Sequence, residues 1–470
     1  MFNNFNLRLI LAVCTVNLLA FATGNVYSWS SSALITLKTP EESPLDHAVT
    51  PMEESLIASL LSLGALFGPP LAGFSSNLLG RKTTLMVFAL PMVLSNLIII
   101  FATETSHFYI ARVLTGISAG GVYTVVPMYV GEISETTIRG FLAGFIGIFY
   151  SLGLLFNYVV GPLVSLQTLS IIMIVPIVLF LIFFGMFIPE SPYYYFAKGR
   201  DIQAKESLMK LRNTFEEKEL AFIEETLSKS KTDISISSLF GNTAFRRAIT
   251  LTTTIVILQQ LVGISAILAY MDDIFIASGS TISSSTSTTI VAVIQVLSVV
   301  LSSCLADKLG RRILLMVSNT LCALSLFPLG FYFYIKHNGG DVSALWYLPI
   351  LCVIGFIIGY NFGLCTIPWT LLGELFTNET KAIASSVTTV SCFSFAFLFS
   401  FLFPHLKVLI GFSGVFWFCG CIGIIHLVFI SIFLPETKGK SFAEILALLE
   451  GSGSEKDTYE SLKMSKVTSS

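Results

Sequence analysis

Most polar residues of this chain that could bind a solute lie inside long apolar runs. Gln259 and Gln260 sit side by side in the run 248–271. Each amide both donates and accepts hydrogen bonds, and leaving one unpaired in an apolar interior is costly. Neighbouring positions on a helix point to different faces, so one of the two should meet a cavity. Ser265, Gln295, Asn361 and Thr366 are further neutral candidates, and Trp369 offers an indole N–H beside an aromatic face. Neutral donors and acceptors next to an aromatic surface suit an uncharged, polyhydroxylated solute such as a sugar. The competing reading is hydrogen bonding between helices, and the small hydroxyl residues can also bond their own backbone. The five histidines are scattered, and the eight cysteines all fall in apolar runs, where they read as small buried hydrophobes. No nucleophile–base pair or metal-ligand spacing emerges, so neither an enzyme nor a cofactor or metal site is expected.

A second set of residues is charged and sits at the ends of the apolar runs: Arg81, Glu132, Arg139, Glu190, Arg311, Arg312, Glu374 and Glu436. They recur. Asn77-Leu78-Leu79-Gly80-Arg81-Lys82 matches Asp307-Lys308-Leu309-Gly310-Arg311-Arg312 at an offset of 230. Glu132 followed by Arg139 matches Glu374 followed by Lys381 at 242, and Pro189-Glu190-Ser191-Pro192 matches Pro435-Glu436-Thr437-Lys438 at 246. Three ordered matches indicate two repeated halves. The charges could pair across and within the halves as a latch at a cytoplasmic gate; the alternative is solvated charge at helix ends, where an isolated pair contributes only about 0–1 kcal/mol.

The elements that must position these residues follow from composition. The chain has 470 residues, 54% hydrophobic and 12% charged, with mean hydropathy +0.81; soluble proteins average about 25% charged. The solvent for so much apolar surface must be a lipid bilayer, and a net charge of −2 gives no reason to expect nucleic acid. Crossing the hydrocarbon layer takes about 20 apolar residues as a helix. Such runs occur at roughly 8–29, 54–75, 84–103, 109–131, 141–163, 169–189, 248–271, 286–306, 313–335, 346–372, 384–404 and 413–434. The predicted architecture is therefore an all-α membrane protein with twelve transmembrane helices in two six-helix bundles. Residues 1–196 form one bundle and 248–440 the other. Between them, 197–247 is a cytoplasmic linker with short amphipathic helices, and 441–470 is a tail, polar and largely disordered. With the N-terminus inside, only Lys38, Arg112, Lys336 and Lys407 of the 27 Lys and Arg lie on the outer side, which places both termini in the cytoplasm. An alternative for the first run is a signal peptide cleaved after Ala20-Phe21-Ala22, which would leave an odd number of spans. In the tenth span, Gly355, Gly359, Gly363 and Pro368 predict bending or close packing.

These motifs resemble the sugar porter family of the major facilitator superfamily, from the first span to Ser441. The resemblance rests on Pro127-Met128-Tyr129-Val130-Gly131-Glu132 with Arg139-Gly140 and on Pro189-Glu190-Ser191-Pro192. Gln259-Gln260-Leu261-Val262-Gly263-Ile264, Ile367-Pro368-Trp369 with Glu374-Leu375-Phe376, and Pro435-Glu436-Thr437-Lys438-Gly439 complete it. The texture is most similar to the insect branch that includes facilitated trehalose transporters. The resemblance implies facilitative, alternating-access transport of a sugar such as trehalose or a hexose, by a monomer in the plasma membrane. The chain departs from the family pattern at several sugar contacts: Gly147 replaces a glutamine, Ser265 an asparagine, Gln295 an asparagine, Asn361 a glutamate and Cys392-Phe393 an Asn-Trp pair. Gly24 stands where proton symporters carry an aspartate, and no Asp, Glu or Lys lies mid-span, which favours uniport. A proton-coupled symporter, with His426 the one mid-span titratable candidate, and a non-transporting sugar receptor on the same fold remain open alternatives.

Asn378-Glu379-Thr380 is the only usable glycosylation sequon. With the cytoplasmic termini read here, it stays unmodified. A glycosidase-sensitive mass shift that disappears in Asn378→Gln reverses the orientation.

Overall fold

The structure is a computed structural model that describes residues 7–39, 41, 43–135, 138–212, 243–376, 378–438, 440 and 444; the side chains of 303–309, 378, 379 and 382 fall outside that description. The described chain runs back and forth as long apolar helices. The first half contains α1 (Leu7–Lys38), α2 (Pro51–Leu79), α3 (Arg81–Ile100), α4 (Thr105–Ile133), α5 (Arg139–Leu163) and α6 (Leu166–Phe187). The second contains α7 (Thr243–Ala269), α8 (Ser284–Leu309), α9 (Arg311–His337) and α10 (Ser343–Glu374). One helical stretch, Asn378–Phe433, holds the remaining two spans. Gly411, with φ +69° and ψ 171°, breaks it into α11 (378–410) and α12 (412–433). All twelve expected spans are present, and the fold is that of two six-helix bundles.

Both described termini lie on one face of the bundle, called here the terminal face; the α1–α2, α5–α6 and α7–α8 connections lie on the opposite, far face. Sequence explains several far-face starts. Thr50 caps α2, its hydroxyl accepting from the Glu53 N–H while the Glu53 carboxylate accepts from the Thr50 N–H, and Pro51 opens the helix. Ser165 and Ser283 cap α6 and α8 in the same way, accepting from the Thr168 and Thr286 amides.

Three spans differ from their sequence outlines. Helix α1 runs on to Lys38 rather than stopping near 29, because Ala33, Leu34 and Leu37 are buried against the protein and the bilayer's thickness does not limit it. A cleavage near Ala22 would cut through the middle of this continuous helix. Helix α7 is interrupted at Gly263, whose φ of +102° only glycine adopts readily; a separate helix, Met271–Ser278, follows it. Helix α10 carries a π-turn at Tyr360–Leu364 and restarts at Ile367, one residue before Pro368. The glycines there act in packing: a Cβ on Gly355, Gly359 or Gly363 would meet atoms of α9, from Ser325, Leu321 and Leu314 respectively, at 2.6, 2.8 and 2.6 Å. Of the predicted linker, Asp201–Leu211 is a helix that buries Leu208 and Leu211; residues 215, 220 and 223 and, apart from residue 444, the tail 441–470 lie outside the described residues.

Helices α1 and α5 touch backbone to backbone. A Cβ on Gly24 would lie 2.0 Å from the Tyr150 carbonyl oxygen, and one on Gly153 would lie 2.0 Å from the Phe21 carbonyl oxygen. Gly24→Ala should therefore cost about 1–3 kcal/mol through overpacking, seen as a lower Tm in detergent. Gly73→Ala, where nothing lies within 4 Å, should leave Tm unchanged or raise it, by about 0.5–1 kcal/mol. Equal melting of Gly24→Ala and the parent protein would mean that the two helices are not so closely apposed.

Candidate functional site

The amides of α7 are built into one polar wall of the second half. The interruption at Gly263 turns the chain so that Ser265 comes back to Gln260, whose Oε1 accepts from the Ser265 hydroxyl at 2.9 Å, while its Nε2 lies 3.2 Å from the Cys392 sulfur. Gln259 Nε2 donates to the Tyr360 hydroxyl (2.9 Å) and to the Leu364 carbonyl (2.6 Å), an acceptor that belongs to the π-turn of α10. Ser302 of α8 fixes the same turn by donating to the Asn361 carbonyl at 2.7 Å. After these bonds, Gln259 Oε1, Asn361 Nδ2 and Gln295 Oε1 remain buried with no partner among the described residues. Thr366 and Trp369 are exposed and take no part in this network; Trp369 is 39% exposed.

The facing wall comes from the first half and is aromatic. Tyr27 of α1, Tyr123 of α4 and Tyr150 of α5 form an edge-to-face cluster, with ring centroids 5.9 Å apart for Tyr27–Tyr150 and 5.8 Å for Tyr123–Tyr150. These rings lie within electrostatic reach of second-half groups: Tyr27 of Cys392, and Tyr123 and Tyr150 of Cys365. The sequence reading singled out amides and missed the tyrosines. Tyr150 lies one helical turn beyond Gly147, where the family's glutamine is missing, and that spacing was the available signal. Gly147 itself faces α8: a Cβ there would meet Val299 at 3.2 Å.

Arg112 was read as lying at the outer end of its helix. It is in fact two turns inside α4 and 2% exposed. Its guanidinium donates to the carbonyls of Ile57 and Val26, both at 2.9 Å, and to the Ser30 hydroxyl at 2.6 Å, and it lies 5.3 Å from the Trp29 ring centre. These partners are neutral. Nearby Gly24 is filled by the Tyr150 backbone.

The terminal-face charges form two matching clusters. Arg81 grips Glu132 through Nη2 (2.7 Å) and Nε (3.0 Å), while Glu190 accepts from the backbone N–H groups of Arg81, Lys82 and Ser191. In the other half, Arg311 Nε binds Glu374 at 2.9 Å, and Glu436 accepts from the N–H groups of Arg311 and Arg312. Gly80 and Gly310, at φ +96° and +86°, make the two turns alike. Burial pushes the Glu190 carboxyl up from its ordinary range, and its three amides and Arg81 hold it back. Arg139 stands apart, donating to the Ser134 carbonyl at 3.4 Å, and Arg312 also donates to the Ser431 carbonyl. In this conformation the ion pairs among these residues, Arg81–Glu132 and Arg311–Glu374, each form within one half.

The hydrogen bonds and ion pairs that join the halves, between described residues, lie toward the far face. Asp273 binds Lys38 of α1 at 3.1 Å and Lys407 of α11 at 2.7 Å, and Lys38 also binds Glu54 of α2 at 2.9 Å. Asp272 accepts from Ser31 at 2.7 Å and from Thr288 at 3.3 Å. Ser55 meets His405 at 3.4 Å, and the Tyr158 hydroxyl donates to the Leu268 carbonyl at 2.8 Å. Burial opposes the charge of Asp273, but the two lysines outweigh it and hold its carboxyl below the usual range. Asp272 is pushed up by burial, which its hydroxyl partners only partly offset.

Two six-helix bundles joined at one face by these contacts have the major facilitator fold. The chain belongs to the family of sugar (and other) transporters, which it matches over residues 12–449. The facilitated trehalose transporter Tret1 of Anopheles gambiae is 32% identical over 441 residues, covering 93% of this chain and 55% of the relative. Its counterpart in Culex quinquefasciatus is 31% identical over 440 residues, covering 93% and 84%. The chain thus spans about half the length of several of these curated relatives and most of the length of others. Among solved structures, the inward-open xylose transporter XylE of E. coli has a TM-score of 0.78 at 23% identity, over 94% of this chain and 99% of that one. Its partially occluded inward-open form has a TM-score of 0.76 at 24% identity, over 93% and 100%. The likeness to XylE is one of fold.

The far-face closure carries a pH prediction. Because the folded-state pKa of Asp273 is depressed, its contribution is present above the ordinary carboxylate range and is lost only as pH falls through the lowered value. Acidifying the far side from about pH 7.5 to about pH 5 should therefore leave the closure intact. Asp273→Asn at neutral pH should weaken it by roughly 1 kcal/mol, about fivefold in the closed-to-open ratio. The readout is labelling of Cys392, as the sole remaining cysteine, by an impermeant maleimide from the far side. Strong labelling of the parent protein at the lower pH, or none gained in the variant, contradicts this assignment.

Proposed function

We infer that this chain carries an uncharged sugar passively across a membrane by alternating access. The observation that carries the reading is the set of unpaired amide groups on Gln259, Gln295 and Asn361, supplied by three helices of one wall opposite three tyrosines. Buried amides without partners are costly, and a bound polyol's hydroxyls satisfy them while its C–H faces lie on the tyrosine rings. Ser265 orients Gln260 for the same task, and Thr366 and Trp369 extend the site from α10. The halves 1–196 and 248–440 rock about the site; the Lys38–Asp273–Lys407 contacts close the far side, and the Arg81, Glu132, Glu190 cluster and its Arg311, Glu374, Glu436 counterpart, with Arg139 and Arg312, brace the terminal face for the opposite closure. The names of the insect relatives favour trehalose among the sugars. Passive transport is supported by Gly24, whose position has no room for a coupling carboxylate, and by the neutral partners of Arg112. In this reading the protein is a plasma-membrane monomer with both termini in the cytoplasm.

Tracer counterflow in liposomes, run with trehalose, glucose, fructose and polyols, tests this directly. At least one of these sugars should exchange; binding without flux would make the protein a receptor. Gln259→Ala or Gln260→Ala should weaken apparent affinity by about 0.5–1.5 kcal/mol, roughly two- to twelvefold, with little change in the amount of folded protein. Parental affinity in both variants removes α7 from the site.

A further inference from the structure

Away from the tyrosine–amide site, a cavity of about 510 Å³ opens on the terminal face of the first half. It lies between the start of α3, the end of α6 and the helix Asp201–Leu211. Three cations line it: Lys82, Arg200 and Lys210. Two carboxylates also line it, Glu206 and Glu190, the latter also accepting from the amides of Arg81, Lys82 and Ser191, so the three cations exceed the carboxylates by one charge. Lys82 Nζ donates to the neutral Gly185 carbonyl at 2.8 Å and has Glu190 as its nearby carboxylate. The side chains of Arg200 and Lys210 make no hydrogen bond or ion pair with a described residue.

The wall formed by the end of α6 is different. Met186 and Phe187, the last residues of α6, line the cavity and are 72% and 66% exposed. They continue the exposed apolar surface of Ile182 and Phe183 on a membrane-spanning helix, so this side of the cavity opens to lipid. An excess of positive charge beside an acyl-chain surface, at the level where a span ends, fits an amphiphilic anion better than a soluble one.

We propose that this cavity binds the phosphate headgroup of an anionic phospholipid, held by Lys82, Arg200 and Lys210, with its acyl chains along Met186 and Phe187. Glu190 links the site to the Arg81–Glu132 pair, so a bound headgroup consolidates the terminal-face cluster of the first half. The proposal does not depend on which solute is carried.

The test uses the full chain in nanodiscs of phosphatidylcholine, with and without one lipid in ten as phosphatidic acid, reading Tm and the affinity for a spin-labelled phosphatidic acid. Phosphatidic acid should raise Tm in the parent protein. Arg200→Gln and Lys210→Gln should each weaken lipid affinity about fivefold and together abolish the Tm rise. Lys205→Gln, on the same helix but outside the cavity, should retain both. Inorganic phosphate or glycerol phosphate added to the phosphatidylcholine nanodiscs should not reproduce the rise; if they do, the site takes a soluble anion and the lipid assignment falls. No rise with phosphatidic acid, or an undiminished rise in the double variant, overturns the site altogether.

Discussion

Inside a bilayer a polar group has no water to turn to, and every buried donor or acceptor must find its partner within the protein. The structure is organised around this constraint. Arg112, buried two turns into α4, is surrounded by two carbonyls, a hydroxyl and an indole face. Glu190 and Glu436 each bind consecutive backbone amides at the start of a helix, and Asp273 is held between two lysines. Against that background the amide atoms of Gln259, Gln295 and Asn361 are left unpaired, and in the reading proposed above a ligand's hydroxyls complete the network there. Asn17, Asn25 and Asn319 also leave an oxygen unpaired, but each donates its N–H to its own helix. The unpaired nitrogens of His426 have no account in this structure.

The same constraint bears on energy coupling. Driving a solute uphill with protons requires a group whose proton occupancy changes as the cavity switches sides, and a carboxylate beside a buried cation is the usual means. Here the cation, Arg112, is present, and among the described residues its hydrogen-bond partners include no carboxylate. The position that would carry it, Gly24, lies where α1 meets the backbone of α5, so a side chain there would collide with the Tyr150 carbonyl. Arg112 has neutral acceptors in place of a charged partner. Close helix packing and the loss of a coupling group are thus one structural feature.

Much of the fold was legible because lipid imposes length. Twelve apolar runs and three ordered repeats suffice to read two bundles, and the repeated charges reappear as two clusters of nearly identical geometry. Gly411 separates the last two spans where the sequence placed a break. The amides at 259 and 260 were legible because a polar pair within an apolar run is rare. The tyrosine wall was not. Spans such as α1 are apolar on every side, so the sequence does not reveal which face of α1, α4 or α5 meets the cavity, and Tyr27, Tyr123 and Tyr150 looked like any other aromatic. Arg112 was misplaced for a related reason: a helix end cannot be told from a site two turns deep without knowing where the membrane begins. The far-face ties of Asp272 and Asp273 depend on how the halves meet, which no single run records.

The central claim is that the solute moves without proton coupling. It is tested most directly by uptake into sealed liposomes under an imposed inward proton gradient. The account predicts that internal solute rises to the external concentration and stays there. A transient accumulation above that level, abolished by a protonophore, would contradict it.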